Sequence, residues 1–130
     1  MRHEDRDLIL IVEDNERNLR LVRDLLQASG FATIEAQNAR TGLALARSAQ
    51  PDVILLDLVM PEVDGFAVVE QLRADPRTSS IPIVVLTSKT LTSEDERRLR
   101  GRIASLARKG ELDRDALLGL LDRCILVKAP

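Results

Sequence analysis

The sequence predicts an α/β fold in which a doubly wound parallel sheet of five strands carries helices on both faces. Two observations predict this class. Short apolar runs rich in valine and isoleucine indicate buried strands, and longer segments whose apolar residues recur at helical spacing indicate helices. The two kinds of segment alternate along the 130 residues. Parallel neighbours in a sheet need such crossover connections, and helices on both faces keep the strands buried. We expect one domain over residues 7–130, after a charged tail at 1–6.

The first half of the chain predicts two strand–helix units. Residues 8–12 are five apolar residues, as expected of a strand covered on both faces. The helix after this strand carries leucine and valine at helical spacing and stops at Gly30, a residue type common at helix C-termini. Residues 31–36 form a weaker strand candidate. The second helix begins at Asn38, whose side chain can cap the first turn, and runs through residue 48.

The second half predicts three further strand–helix units. Their strands are short apolar runs at 53–56, 83–86 and 103–107. The third helix includes Phe66, and Ser93 followed by Glu96 resembles a capping box that opens a strongly charged fourth helix. The fifth helix begins at Asp113. It carries more apolar residues than one packing face needs, which leaves a homodimer or domain contact open.

The composition argues against several classes of function. A net charge of −2 and the lack of Trp and Tyr argue against direct nucleic acid binding. No run approaches the roughly 18 to 20 apolar residues of a membrane span, and the charged start is unlike a secretory signal, so we expect a cytoplasmic protein. We expect Cys124 to be a small buried hydrophobe, because it lies in an apolar pattern near the end of the chain. A catalytic role is disfavoured, because the one histidine, His3, lies in the charged tail.

Polar residues follow the strands at the edge where open α/β sheets bind ligands. In chain order they are Glu13, Asp14, Asp57, Thr87 and Lys109. Taken singly, each is more often a helix cap or a turn residue. Together, three crowded carboxylates repel unless a cation holds them, and their oxygen atoms suit Mg2+. A hydroxyl and a lysine beside them could hold a phosphoryl group, so the set predicts an aspartyl-phosphate site.

Four segments carry a resemblance to a known family: LIVEDN at 10–15, VILLDLVMPEVDGF at 53–66, PIVVLTS at 82–88 and RKG at 108–110. From about Asp7 onward the chain resembles the receiver domain of two-component response regulators. The resemblance implies a flavodoxin-like three-layer sandwich with strand order 2-1-3-4-5. It also implies a phosphorelay signalling module, one that phosphorylates and dephosphorylates itself and turns over no external substrate.

The resemblance also implies roles for the polar residues. Asp57 would accept a phosphoryl group from a histidine kinase or histidine phosphotransfer protein, and the signal would pass to a downstream protein that the sequence does not identify. Thr87 would donate its hydroxyl to a phosphoryl oxygen, and Lys109 would pair with another. The Mg2+ ligands would be four groups: Asp14 directly, Glu13 through water, Asp57, and the backbone carbonyl of Val59.

The chain departs from the family pattern at two positions. Leu106 stands where an aromatic side chain is common, so the signal must be read without the aromatic rotation seen in the family. Gly110 stands where proline is usual, which removes the main reason to expect a cis peptide bond after Lys109. The positions that tune phosphoryl lifetime are here Val59 and Lys89. Because apolar Val59 cannot orient a hydrolytic water, we predict a long-lived aspartyl phosphate.

Three other interpretations stay open from the sequence. The chain could be a stand-alone regulator or the receiver domain of a hybrid histidine kinase, which segment 89–110 resembles. It could be a Mg2+-dependent phosphohydrolase with Asp57 as nucleophile, although such enzymes usually have a second acid where this chain has Val59. It could also be a receiver-like fold used only for binding, an interpretation that the complete set of polar residues disfavours.

Overall fold

The computed structural model describes residues 7–60, 63–88, 90–109 and 113–128. Lys89 and Gly110, two positions that bear on phosphoryl lifetime and on the peptide bond after Lys109, lie outside the described residues. The strands are β1 Leu8–Val12, β2 Ala32–Ala36, β3 Val53–Leu56, β4 Val59–Met60, β5 Val63–Asp64, β6 Ile83–Thr87 and β7 Ser105–Arg108. The helices are α1 Glu16–Ala28, α2 Ala39–Ala49, α3 Gly65–Ala74, α4 Ser93–Leu99 and α5 Arg114–Lys128.

The five long strands form one parallel sheet in the order β2-β1-β3-β6-β7. This is the predicted order 2-1-3-4-5 once the short strands β4 and β5 are counted separately. Those two strands pair with each other as an antiparallel hairpin, which the sequence analysis did not predict. The predicted α/β class, with a doubly wound sheet and five helices, is confirmed.

The core has two layers, one on each face of the sheet. Within β3, Ile54 and Leu56 pack into one layer and Val53 and Leu55 into the other, because successive side chains of a strand point to opposite faces. All four of these side chains are buried. Burying each stabilises the fold by roughly 1.5 to 3 kcal/mol. The strand before Asp57 is therefore held from both sides.

The N-terminal cap of α2 is the predicted residue, whereas the capping box of α4 lies one residue earlier than predicted. Asn38 caps α2, and its side chain accepts a hydrogen bond from the Thr41 N–H at 2.8 Å. The capping box of α4 is formed by Thr92 and Asp95, one residue before the predicted Ser93 and Glu96. Thr92 has the extended backbone that an N-cap requires, and its side chain and that of Asp95 each accept from the other's backbone N–H.

Two strands begin later than the sequence predicts. Phe31 precedes β2, because its N–H donates to the Leu26 carbonyl at 3.0 Å and so closes the end of α1. The last strand begins at Ser105 rather than 103 and continues to Arg108. The chain is still turning after α4 at that point, since the Arg102 N–H donates to the Leu99 carbonyl at 2.9 Å.

Helix α5 packs most of its described apolar side chains into the core. Leu117, Leu121 and Cys124 are buried, and Leu118, Leu120 and Ile125 are partly buried in the same layer. Among the described residues, the large apolar side chains that are exposed are Leu21, Val59 and Leu106, none of them on α5. Cys124 is the small buried hydrophobe that was predicted, and burial raises the pKa of its thiol. A homodimer stays a prediction.

Across the parts of the chain that the structure describes, no helix has the length and apolar character needed to cross a membrane.

Asp75 joins the end of α2 to the loop after α3. Its carboxylate accepts hydrogen bonds from Arg77, which chiefly lower its pKa to about 2, and from Arg47 Nε at 2.9 Å. A carboxyl whose pKa is depressed on folding stabilises the protein above its unfolded pKa of about 3.9, and loses that contribution as the pH falls toward its folded pKa. We expect Asp75→Asn to be less stable than the wild type at pH 5 to 7.

The difference in stability should shrink as the pH falls from about 4 toward 2, as measured by urea unfolding followed by circular dichroism. Asp24→Asn is the matched control, because Asp24 lies on the exposed surface of α1 and pairs with its neighbour Arg23. A stability difference for Asp75→Asn that is constant between pH 7 and pH 2 would contradict the role assigned to Asp75.

Candidate functional site

The candidate site lies at the edge of the sheet where the parallel strands end. Backbone hydrogen bonds hold its first residues in line with the strands. The Glu13 N–H donates to the Ala36 carbonyl at 3.0 Å, and the Asp57 N–H donates to the Val12 carbonyl at 3.1 Å. Asp57 is therefore positioned by the neighbouring strand β1 as well as by the buried strand β3 that precedes it.

Three carboxylates meet at this edge. One oxygen from each of Glu13, Asp14 and Asp57 lies within 4.8 Å of the others. Glu13 and Asp57 are buried, with 5% and 6% of their surfaces exposed, and Asp14 is partly buried. These are hard oxygen ligands on rigid backbone positions, and their charges repel one another unless a cation lies among them. The donor set therefore fits a divalent cation such as Mg2+.

Lys109, which follows β7, reaches the same cluster. Its Nζ atom lies 2.6 Å from Glu13 Oε1 and 3.1 Å from Asp57 Oδ2. Burial alone would lower the pKa of Lys109, but the hydrogen bond to Glu13 and the nearby charge of Asp57 outweigh it, so the pKa is raised. Burial raises the pKa of Glu13, although hydrogen bonds from Lys109 and from the Asn15 N–H oppose this shift. The Lys109 ammonium is therefore firmly charged and lies between two acids.

The β4–β5 hairpin fixes the loop that follows Asp57. The Val59 N–H donates to Asp57 Oδ1 at 3.0 Å, and Val59 pairs with Asp64 across the hairpin. Val59 itself is half exposed at the mouth of the site. The hairpin ends at Gly65, whose N–H donates to the Leu58 carbonyl at 3.3 Å. A Cβ atom at position 65 would lie 2.5 Å from Leu58 Cα, so only glycine allows this close approach.

Thr87 and Leu106 lie on the neighbouring strands β6 and β7. Thr87 is the last residue of β6 and is fully buried. The register pairs Leu56 with Val85, so Thr87 ends its strand at the same edge of the sheet as Asp57. Leu106 pairs with Val85 on the other side and is 37% exposed. All five polar residues predicted from the sequence thus lie at one edge of the sheet.

Sequence reasoning missed two charged residues near the site. Asp64 accepts a hydrogen bond from the Phe66 N–H at 2.9 Å and so caps α3. Arg98 on α4 pairs with this same carboxylate at 3.3 Å. The cap could have been found, because an aspartate directly before an apolar helical segment is a common N-cap. The Arg98 pair links residues 34 positions apart and leaves no local signal in the sequence.

Comparison with known proteins gives consistent findings. The family model for the response regulator receiver domain matches residues 9–115. The chain is 42% identical over 93 residues to the polar-differentiation response regulator DivK of Brucella anthropi, an alignment that covers 72% of this chain and 76% of that protein. The residues matched by the family model include the strand ends and loops that form the site.

Solved structures are similar as well. A receiver domain of a sensor histidine kinase from Pseudomonas aeruginosa PAO1 matches with a TM-score of 0.83 at 27% identity, covering 92% of this chain and 98% of that one. It was solved with a magnesium ion coordinated in its active site cleft. The chemotaxis protein CheY4 of Vibrio cholerae matches with a TM-score of 0.82 at 29% identity, covering 92% of this chain and 98% of that one.

Proposed function

Because the chain belongs to the response regulator receiver domain family, we propose that Asp57 is its phosphoacceptor and that a histidine kinase or histidine phosphotransfer protein is the donor. The observation that carries the proposal is the position of Asp57. Its carboxylate ends a strand buried on both faces, lies within 4.8 Å of two further acids and has Lys109 Nζ at 3.1 Å. A fixed carboxylate with positive charge beside it can attack phosphorus.

The proposed transfer needs positioning and charge neutralisation more than covalent chemistry from the protein. A carboxylate oxygen of Asp57 forms a bond to phosphorus while the phosphorus–nitrogen bond to the donor histidine breaks. The imidazole leaves with the electron pair of that bond. Lys109 neutralises charge on the phosphoryl oxygens, and the Thr87 hydroxyl donates a hydrogen bond to one of them.

Mg2+ is the proposed cofactor. Its ligands would be Glu13, Asp14, Asp57 and the backbone carbonyl of Val59, and the bound ion would supply further neutralisation of phosphoryl charge. The clustering of three carboxylate oxygens supports this assignment. The magnesium ion in the cleft of the similar receiver domain from Pseudomonas aeruginosa supports it as well.

An open groove beside the site supports a protein donor. It runs between α1 and the beginning of α5 and joins Glu13 and Lys109 to the apolar side chains of Leu21, Val22 and Leu117. A histidine that approaches Asp57 belongs to a protein that must cover this edge of the sheet, and exposed Leu21 offers it an apolar contact. The downstream target stays undefined in this proposal.

The proposal favours a signalling module over a phosphohydrolase. A phosphohydrolase needs an acid to protonate its leaving group, and the position two residues past Asp57 is Val59. We therefore propose that chemistry is confined to gain and loss of phosphate at Asp57. The extent of the domain over 7–130, and whether it works as a stand-alone regulator or within a hybrid histidine kinase, stay predictions.

Intact mass spectrometry tests the assignment of Asp57. After treatment with acetyl phosphate and Mg2+, we expect the wild type to gain the mass of one phosphoryl group and Asp57→Asn to gain none. Asp52→Asn is a matched control, because Asp52 is another buried aspartate but lies at the opposite end of β3, where it accepts from the Leu8 N–H. A phosphoryl gain in Asp57→Asn equal to that of the wild type would refute the proposal.

The lifetime of the aspartyl phosphate gives a separate prediction. Val59 is half exposed at the mouth of the site and has no polar side-chain atom. We expect phosphorylated wild type to lose its phosphate slowly and Val59→Asn to lose it severalfold faster, because an amide can orient the attacking water.

Decay of the phosphorylated mass after removal of acetyl phosphate measures this rate. Val59→Ala controls for the loss of bulk, since it opens the site without adding a polar group. A wild type that loses its phosphate within seconds, at the rate of Val59→Asn, would show that Val59 has no part in the lifetime.

A further inference from the structure

Arg98 is a charged residue of α4 whose side chain contacts three residues outside its own helix. Its guanidinium lies 3.3 Å from Asp64 Oδ2 and 3.4 Å from Glu70 Oε2, and its Cζ atom is 4.6 Å from the centre of the Phe66 ring. We call this arrangement, formed by Arg98, Asp64, Glu70 and Phe66, the Arg98 clamp. It joins α4 to α3 and to the end of the β4–β5 hairpin.

The clamp is connected to Asp57 through three consecutive contacts. Asp57 Oδ1 accepts a hydrogen bond from the Val59 N–H at 3.0 Å. Val59 pairs with Asp64 in the β4–β5 hairpin. Asp64 uses both of its carboxylate oxygens, because Oδ1 caps α3 and Oδ2 pairs with Arg98. A shift of the Asp57 carboxylate therefore reaches α4 through one short hairpin.

Apart from this clamp, α4 buries little apolar surface. The helix has seven residues, and Leu99 is its one buried residue. Its neighbouring arginine, Arg97, is 70% exposed and pairs with Glu94 of the same helix. Isolated surface ion pairs contribute little, but two carboxylates and an aromatic ring around one guanidinium form a network. A short helix with little buried apolar surface responds to the loss of such a network.

We propose that Arg98 is a positioning residue that couples occupancy of the Asp57 site to the position of α4 through the β4–β5 hairpin. The proposal rests on the proposed function, because it assigns regulation to the same phosphoacceptor site. It supplies a route from Asp57 to the protein surface in a chain that has Leu106 where an aromatic side chain is common in the family. Coupling of this kind is reciprocal, so the clamp also favours ligand binding at Asp57.

Reciprocity makes the proposal measurable at both ends. At the site, Arg98→Met frees the hairpin that presents Val59, so the affinity for Mg2+ with beryllofluoride should fall by roughly fivefold. At the helix, binding of Mg2+ with beryllofluoride should slow hydrogen exchange of the α4 amides in the wild type. In Arg98→Met that slowing should be lost, because the connection between the hairpin and α4 is removed.

The matched control is Arg97→Met, which removes the same charge from the same helix without touching the hairpin. Asp64→Asn is the second variant. It keeps an oxygen that can cap α3 but loses the charge that pairs with Arg98. The double variant Arg98→Met/Asp64→Asn should lose no more affinity than Arg98→Met alone, because both changes break one contact. Urea unfolding of each variant shows that it is folded at the temperature of the titration.

The outcomes separate the coupling from the proposed function. If the wild type binds Mg2+ with beryllofluoride, and Arg98→Met matches Arg97→Met in both affinity and α4 exchange, the coupling is refuted and the phosphoacceptor assignment stands. If Arg98→Met or Asp64→Asn is impaired and Arg97→Met is not, the coupling is supported. If the wild type itself binds neither ligand at Asp57, the proposed function fails and the coupling fails with it.

Discussion

Lys109→Met is expected to slow phosphorylation of Asp57 by acetyl phosphate about a hundredfold or more and to lower the free energy of unfolding by about 2 to 3 kcal/mol. The kinetic loss follows from removing the ammonium group 3.1 Å from Asp57 Oδ2. The loss of stability follows because Glu13 and Asp57 stay buried without their cation. We place it somewhat below the value for a fully buried pair, since 24% of the Lys109 side chain is exposed.

Two comparisons test the electrostatic explanation of the Lys109 result. Mg2+ should restore stability to Lys109→Met by a larger amount than it stabilises the wild type, because the cation replaces the lost charge among the acids. Asp57→Asn should recover part of the stability of Lys109→Met in the double variant, since it removes one of the repelling charges. Urea unfolding with and without Mg2+ measures the stability of the wild type, of both single variants and of the double variant. A Lys109→Met protein as stable as the wild type in the absence of Mg2+ would contradict the explanation.

Gly65→Ala is expected to destabilise the protein by about 1 to 3 kcal/mol, the usual cost of forcing an extra group into a packed site. The new Cβ atom would lie 2.5 Å from Leu58 Cα and 2.6 Å from the Leu58 carbonyl oxygen. Both atoms belong to the backbone, which cannot turn aside as a flexible side chain can. The loop that presents Val59 to Asp57 must therefore shift, so phosphorylation should also slow.

Gly119→Ala is the control for the glycine prediction. Gly119 lies inside α5, and a Cβ atom there would meet Arg123 Nη1 at an ordinary distance of 3.7 Å. Alanine is the better helix former by up to about 1 kcal/mol, so this variant should be as stable as the wild type or more stable. Urea unfolding midpoints of Gly65→Ala and Gly119→Ala test this prediction. If the two variants have the same midpoint, the contact with Leu58 relaxes without loss of stability.

The sequence predicted the sheet because its three central strands, β1, β3 and β6, contain uninterrupted apolar runs. Val53, Ile54, Leu55 and Leu56 leave no polar face, which is typical of a strand covered on both sides. The same analysis missed the β4–β5 hairpin, since two strands of two residues have no measurable periodicity. The capping box of α4 was predicted one residue too late, because Thr92 with Asp95 and Ser93 with Glu96 both match the capping pattern.

The polar residues of the site were predictable because they follow strands, and the ends of parallel strands share one edge. Neither the Glu13–Lys109 contact nor the Arg98 clamp could be predicted in this way. Glu13 and Lys109 are 96 positions apart, and their separation of 2.6 Å depends on how the sheet places the ends of β1 and β7. From the sequence, Arg98 was predicted only as part of a strongly charged helix, because nothing near it in the sequence indicates that it reaches Asp64.

The single thiol of the chain also has an experimental use. Cys124 packs among the apolar side chains of α5 and its neighbours, and burial raises its pKa. A thiol must be both reached by reagent and deprotonated before it reacts, so the burial and the raised pKa of Cys124 should make its modification slow in the native protein. The rate at which a disulfide reagent labels the folded protein therefore reports local changes in packing around Cys124, and no introduced probe is needed.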